Sequence, residues 1–178
     1  MEQLTDYLYD IIQNSIKANA ELIELSIVHF DQMVITLSDN GSGMDEETLK
    51  KVTSPFYTTK TTRKVGIGLS LIQMLCEQTE GSFLIESKLG IGTSLHMTFN
   101  DTHMDMPPIG DLGAFIYDIL LHQDIHQFVF SYLSFEGAFK LSIEEMKMMF
   151  EQTLTHKDIK DGLIEWINHE IQERRGKQ

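Results

Sequence analysis

Hydrophobic and polar residues follow two different periods along the first hundred residues. Between Leu4 and Ala18 the apolar residues recur every three to four positions, which predicts an amphipathic helix. Two alternating runs follow, separated only by Asp31 and Gln32, and this short turn predicts an antiparallel hairpin. The same two periods predict further helices over 45–52 and 69–78, and strands over 22–30, 33–37, 82–87 and 93–100.

The order of these elements favours one fold class. Helix, hairpin, helix, loop, helix and hairpin predict a two-layer α/β sandwich with a mostly antiparallel sheet and its helices on one face. We place this domain at residues 1–102 and a linker at 103–110, because Pro107 and Pro108 fall there. Residues 111–178 predict a small α+β C-terminal unit consisting of a helix, a hairpin and two helices. Ser142 and Glu145 form a capping box at the start of the first of these two helices.

Composition restricts the classes of partner. A formal net charge of -13 disfavours nucleic acid and anionic membrane surfaces, because both would repel the chain. The chain contains no signal segment at its start and no apolar run long enough to span a bilayer. The single cysteine, Cys76, lies among apolar residues and is predicted to be part of the core. These features lead us to expect a soluble cytoplasmic protein.

Several glycine-bearing turns carry the candidate chemistry. Asp39 to Gly43 (DNGSG) follows a predicted strand, and alone this turn is typical of an ordinary Asx turn. Its ordered neighbours favour a ligand site instead, since independent turns rarely arrange themselves this way. They are Asn14 on the first helix, the segment PFYTTK at 55–60, GIGL at 66–69 and GIGT at 90–93.

This ordered set resembles the GHKL superfamily of gyrases, heat-shock chaperones, sensor histidine kinases and mismatch-repair ATPases. The resemblance covers about Leu4 to Asn100. The segment DIIQNSIKANA is similar to the mismatch-repair form of the first box, whereas PFYTTK and GIGLSL are similar to sensor kinases. The resemblance implies the Bergerat fold, with ATP and Mg²⁺ as ligands.

The resemblance also implies roles at the adenine end of such a pocket. The Asp39 carboxylate would accept a hydrogen bond from the adenine amino group, whereas guanine has a carbonyl at that place. Gly41 and Gly43 would leave room for the base, and Thr93 would support the same edge. Further residues of the implied ATP pocket are Met44, Phe56, Thr59 and Leu69.

At the phosphate end, the resemblance assigns Asn14 as the magnesium ligand through its side-chain oxygen. Gly66 and Gly68 precede a helix, so that free backbone amides at its start would receive phosphate oxygens. Lys17 lies one helical turn after Asn14 and is a further phosphate ligand or a surface lysine. A basic cluster in this acidic chain would offset the triphosphate charge: Lys60, Arg63 and Lys64.

Catalysis depends on Asp10, which lies one turn before Asn14 on the same helical face. Hydrolysing members of the superfamily have a glutamate at this place, and many histidine kinases have an asparagine. Aspartate is a capable general base with a shorter reach. The sequence therefore leaves three alternatives: slow ATP hydrolysis, phosphotransfer in trans to a protein, or a non-catalytic ATP sensor that regulates a partner.

The histidines do not predict autophosphorylation, because none lies in the box of a phospho-accepting histidine. We expect surface or packing roles for His29, His96, His103, His122, His126, His156 and His169. The C-terminal unit with HMDMPPIGD resembles stand-alone ATP-binding proteins of anaerobic Firmicutes, often encoded beside hydrogenase or NADH-dehydrogenase-like subunits. This favours an unidentified protein partner, and nothing indicates a homodimer. Met146, Met148 and Met149 would suit a docking or dimerisation module, but core packing is the default for such a stripe and is the prediction here.

Overall fold

The computed structural model describes residues 2–52, 67–150 and 154–175 of the chain. Within these ranges the helices are α1 Leu4–Lys17, α2 Glu46–Val52, α3 Ile67–Gln78, α4 Leu112–Leu121, α5 Ile143–Phe150 and α6 Lys157–Arg175. The strands are β1 Leu22–His29, β2 Met33–Asp39, β3 Ser82–Lys88, β4 Gly92–Phe99, β5 Gln127–Ser134 and β6 Gly137–Ser142. The predicted helices and strands are thus present in the predicted order, with small shifts at their ends.

In the described part of the chain the strands form one six-stranded sheet in the order β3-β4-β2-β1-β5-β6. Neighbouring strands are antiparallel, except that β1 and β5 are parallel. The predicted α/β sandwich with a mostly antiparallel sheet is therefore confirmed. The hairpin β5–β6 follows segment 103–110 and nevertheless extends this sheet at β1. The division into two domains at that segment stays a prediction.

One face of the sheet carries the core. Because side chains alternate between the two faces, the strand register aligns apolar residues into continuous rows across the sheet. One such row consists of Ile85, Leu95, Leu37, Leu25, Phe130 and Leu141, all of them buried. Towards one end of the sheet the next row turns polar, since Asp39 is paired with Thr93 and Thr93 with Ser87. This polar end of an otherwise apolar face is where the candidate site lies.

Helices α1 and α3 contact each other and contribute to the same core. In α1 the buried residues include Leu8, Ile11 and Ile12, which share one helical face as the apolar period predicted. Cys76 on α3 is also buried, as predicted. Burial raises the pKa of its thiol to about 12, so the thiol stays protonated and unreactive at neutral pH.

A buried polar network joins β5 to β1 at the opposite end of the sheet. His29 Nδ1 lies 2.9 Å from the hydroxyl oxygen of Tyr132, and His29 Nε2 lies 2.7 Å from Oδ2 of Asp101. Burial raises the pKa of Tyr132 and keeps its hydroxyl protonated. Each polar side chain of this network therefore has a partner, and His29 has a packing role, as expected.

Candidate functional site

A cleft of about 240 Å³ opens between α1, the end of β2 and the start of α3. Its floor is apolar and includes Ile11, Ile85 and Leu95. The sequence-predicted residues that line this cleft are Asn14, Lys17, Asp39, Gly43, Met44, Leu69 and Thr93. The fold thus gathers side chains from four separate segments of the chain around one cavity.

Other predicted site residues lie beside the cleft or outside the described ranges. Gly41 is buried next to Asp39, and Gly68 is buried next to Asp10. Six predicted residues lie outside the described ranges: Phe56, Thr59, Lys60, Arg63, Lys64 and Gly66.

The carboxylate of Asp39 is held in a defined orientation by two donors. Its Oδ1 accepts a hydrogen bond from the backbone N–H of Gly41 at 2.9 Å, and its Oδ2 accepts one from the Ser15 hydroxyl at 2.7 Å. Each carboxylate oxygen has a second lone-pair site, so Asp39 can still accept a hydrogen bond from a ligand N–H. Sequence reasoning assigned no role to Ser15, which lies on the buried, mostly apolar face of α1. A hydroxyl on that buried face was the signal of its role.

A second hydrogen-bond network holds Thr93 beside Asp39. The Ser87 hydroxyl oxygen lies 2.9 Å from Oγ1 of Thr93 and 2.9 Å from the carbonyl oxygen of Gly92. It also accepts the backbone N–H of Met44 at 2.9 Å. Ser87 therefore ties the loop after β2 to the turn between β3 and β4. Sequence reasoning missed Ser87, whose signal was its place on the core-facing side of β3.

Steric contacts within the protein explain why glycine occupies two positions after β2. A Cβ atom on Gly41 would lie 2.8 Å from the carbonyl oxygen of Ala18. At Gly43 the φ angle is +61°, and a Cβ atom would lie 2.1 Å from the carbonyl oxygen of Lys88. Glycine at these places allows the loop to pack tightly against both α1 and the β3–β4 turn.

Asn14 lines the cleft, and Asp10 lies one helical turn before it on α1. The side-chain nitrogen of Asn14 is buried and has no hydrogen-bond partner among the described residues. A Cβ atom placed on Gly68 would lie 3.2 Å from Oδ2 of Asp10, so this carboxylate lies against the first turn of α3. Helix N-termini leave backbone N–H groups free. The Asn14 side chain therefore lines the cleft, and the Asp10 carboxylate lies beside the start of α3.

The sequence of this region is similar to that of known proteins. The family described as "Histidine kinase-, DNA gyrase B-, and HSP90-like ATPase" matches residues 2–103. Sporulation kinase E of Bacillus subtilis (strain 168) is 34% identical over 100 residues, which cover 54% of this chain and 13% of the kinase. A putative sensor protein of Shewanella frigidimarina is 34% identical over 105 residues, covering 55% of this chain and 16% of that protein.

Among solved structures, one described as the N terminal domain of a DNA repair protein aligns with a TM-score of 0.49 and 18% identity. The alignment covers 80% of this chain and 52% of the chain in that structure. Within the described ranges, the chain has no helix of the length and apolar character needed to cross a membrane.

The family match includes more than half of the chain and contains every described residue of the cleft. The resemblance to the GHKL superfamily is thereby confirmed. The chain belongs to the family of histidine kinase-, DNA gyrase B- and HSP90-like ATPases and carries its ATP-binding, histidine-kinase-like domain.

Proposed function

We propose that this chain binds Mg-ATP in the cleft and hydrolyses it slowly, with Asp10 as the general base. One observation carries this proposal: the Asp10 carboxylate lies against the first turn of α3, one helical turn from Asn14. A base must lie near the water that it activates. Backbone amides at the start of a helix are natural receptors for phosphate oxygens.

At the other end of the cleft, Asp39 would receive the adenine base. Ser15 and Gly41 already orient its carboxylate, so little further ordering is needed when a ligand binds. The free lone pairs of Asp39 match the donor hydrogens of the adenine amino group. The apolar floor supplies contact area for a flat ring, and Thr93 would support the edge of the base beside Asp39.

The residues present fit a magnesium ion that is shared with phosphates. Mg²⁺ prefers oxygen ligands and usually takes few from the protein. Among the described residues no group of three histidine, cysteine or acidic side chains could hold a metal alone. Asn14 would give one oxygen ligand, and its buried side-chain nitrogen, which has no hydrogen-bond partner among the described residues, would be able to donate to a phosphate oxygen. Bound magnesium would offset phosphate charge, and Lys17 at the cleft would add to this effect.

In the proposed reaction Asp10 accepts a proton from water as the water oxygen forms a bond to the terminal phosphorus of ATP. The bond from that phosphorus to the bridging oxygen breaks, and ADP leaves with the electron pair. Phosphate and ADP are the products, and Asp10 returns its proton to solvent. The shorter reach of aspartate relative to glutamate is the reason to expect a slow rate.

The change Asp10→Asn is expected to lower the rate of phosphate release at least about 100-fold, because general-base catalysis contributes roughly that much. ATP affinity should stay within about twofold, since Asp10 does not line the cleft proposed to hold the adenine ring. Phosphate release and ATP binding by calorimetry measure the two effects. Asp31→Asn in the exposed β1–β2 turn is the matched control and should change neither. An unchanged rate in Asp10→Asn would remove Asp10 from catalysis.

A second candidate function is phosphotransfer in trans to a protein. The similarity to Sporulation kinase E and to a putative sensor protein favours it. Incubation with ATP labelled in the terminal phosphate separates the alternatives. Label on an added protein supports transfer, and free labelled phosphate supports hydrolysis. Tight binding with neither product would leave a nucleotide sensor whose occupancy changes a partner.

A further inference from the structure

An apolar groove lies between α5 and α6, remote in the chain from the ATP-binding residues. Its cavity measures about 350 Å³. The apolar side chains that line it are Met146, Met149, Phe150, Ile159, Leu163 and Trp166. Met146 is buried as predicted, whereas the core prediction for Met148 and Met149 is wrong, with 65% and 73% of these residues exposed. Exposed apolar side chains around a concave surface are typical of a binding site.

Gly162 also lines this groove, and the absence of a side chain at this position keeps the groove open. Glycine is a poor helix former, so a glycine within α6 needs a reason. At Gly113 on α4 the reason is close packing, because a Cβ atom there would lie 2.5 Å from the carbonyl oxygen of Ile164. At Gly162 a Cβ atom would meet no described atom within 4 Å. Packing among the described residues therefore does not require Gly162, whereas an occupant of the groove would.

The charges along the groove favour a basic occupant. Asp158 lines it, and Asp161 and Glu165 are exposed on the same side of α6 at helical spacing. Lys160 is placed over the ring of Tyr117 at 5.2 Å. Lys147 donates a hydrogen bond to the carbonyl oxygen of Ile125. Lys160 and Lys147 thus interact with other parts of the protein, and Lys157 at the start of α6 is the remaining lysine near the groove among the described residues. A second copy of this chain would bring one acidic edge against another, which is repulsive.

The length of the groove indicates the shape of the occupant. Residues 158–166 span about 12 Å of α6, at a rise of about 1.5 Å per residue. Two turns of a helix have this length and present apolar residues at i, i+3 or i+4, and i+7. Methionine side chains adapt readily to such apolar faces. We propose that the α5–α6 groove binds an amphipathic helix of a partner protein, with its apolar face in the groove and lysine or arginine residues facing the acidic edge.

Trp166 gives a direct measurement, because it is the only tryptophan of the chain and is 43% exposed in the groove. The probe is a synthetic peptide with leucine at helical spacing and lysine elsewhere. We expect saturable binding with a shift of Trp166 emission to shorter wavelength, weakened by salt. A peptide of leucine and glutamate in the same order should bind at least about tenfold more weakly.

Two variants separate the groove from general attraction between a basic peptide and an acidic protein. Gly162→Leu fills the groove and should weaken binding at least about tenfold, while Gly162→Ala should keep it within about twofold. Thermal unfolding checks that both variants fold. Met149→Ser, at an exposed site, should also weaken binding.

Any one of four results would overturn the proposal. The first three are unchanged binding of the basic peptide in Gly162→Leu, equal binding of the acidic peptide, and no change in Trp166 emission when the basic peptide is added. The fourth is self-association that Gly162→Leu abolishes, which would identify the occupant as a second copy. The experiment needs no nucleotide, so its outcome is independent of the proposed ATP hydrolysis.

Discussion

Replacing Asp39 by asparagine is expected to weaken ATP binding at least about 100-fold, or about 2.7 kcal/mol. In the unmodified protein both carboxylate oxygens accept hydrogen bonds, one from Gly41 N–H and one from the Ser15 hydroxyl. An asparagine amide nitrogen can accept no hydrogen bond, so it would face either a protein donor or the adenine amino group. Calorimetric titration with Mg-ATP measures the loss.

The control for this change is Asp45→Asn. Asp45 is exposed, immediately precedes α2 and accepts a hydrogen bond from the backbone N–H of Thr48. The change Asp45→Asn removes the same charge close to the cleft without removing the proposed adenine contact, so ATP affinity should stay within about twofold. If Asp39→Asn bound ATP as tightly as Asp45→Asn, the pocket assignment would be wrong.

The second large effect is expected from Gly43→Ala, which should destabilise the fold by about 2–5 kcal/mol. The left-handed φ angle of +61° is unfavourable for alanine, and its Cβ atom would lie 2.1 Å from the carbonyl oxygen of Lys88. Backbone atoms cannot rotate away as a flexible side chain can. The loop must therefore move away from the β3–β4 turn, and ATP affinity should fall as well. Urea unfolding measures the change in stability.

Gly90→Ala is the matched control because it separates backbone strain from collision. Gly90 also has a positive φ angle, +75°, but a Cβ atom there would meet no described atom within 4 Å. This change should cost only about 1–2 kcal/mol, the cost of the left-handed backbone. Equal losses in the two variants would show that the contact with Lys88 has no part in the effect.

Local patterns predicted the helices and strands, but not the place of the last hairpin in the sheet. The alternation from 22 to 37 and the short turn within it determine which strands pair, because a hairpin leaves few alternatives. The pairing of β1 with β5 joins Ile23 to Phe128, residues far apart in the sequence. Apolar periodicity predicts that β5 has a buried face, but it does not predict which edge strand of the sheet β5 pairs with.

The candidate site was predicted in part for a related reason. Asp39, Asn14 and Thr93 belong to ordered motifs, and the structure places them around one cleft. The roles of Ser15 and Ser87 depend on hydrogen bonds between separate elements, which only the fold reveals. Likewise, no spacing rule predicts that the side chain of Asp10 lies against Gly68. Met148 and Met149 followed a helical stripe, yet no described element covers them and both are exposed.

Adenine recognition by Asp39 is the central claim, and a comparison of two nucleotides tests it most directly. Calorimetric titration of the unmodified protein with Mg-ATP and then with Mg-GTP should show one saturable site for ATP. Binding of GTP should be at least about 100-fold weaker, because guanine offers a carbonyl where Asp39 needs a donor. Equal affinity for the two nucleotides, or no binding of ATP, would contradict the account.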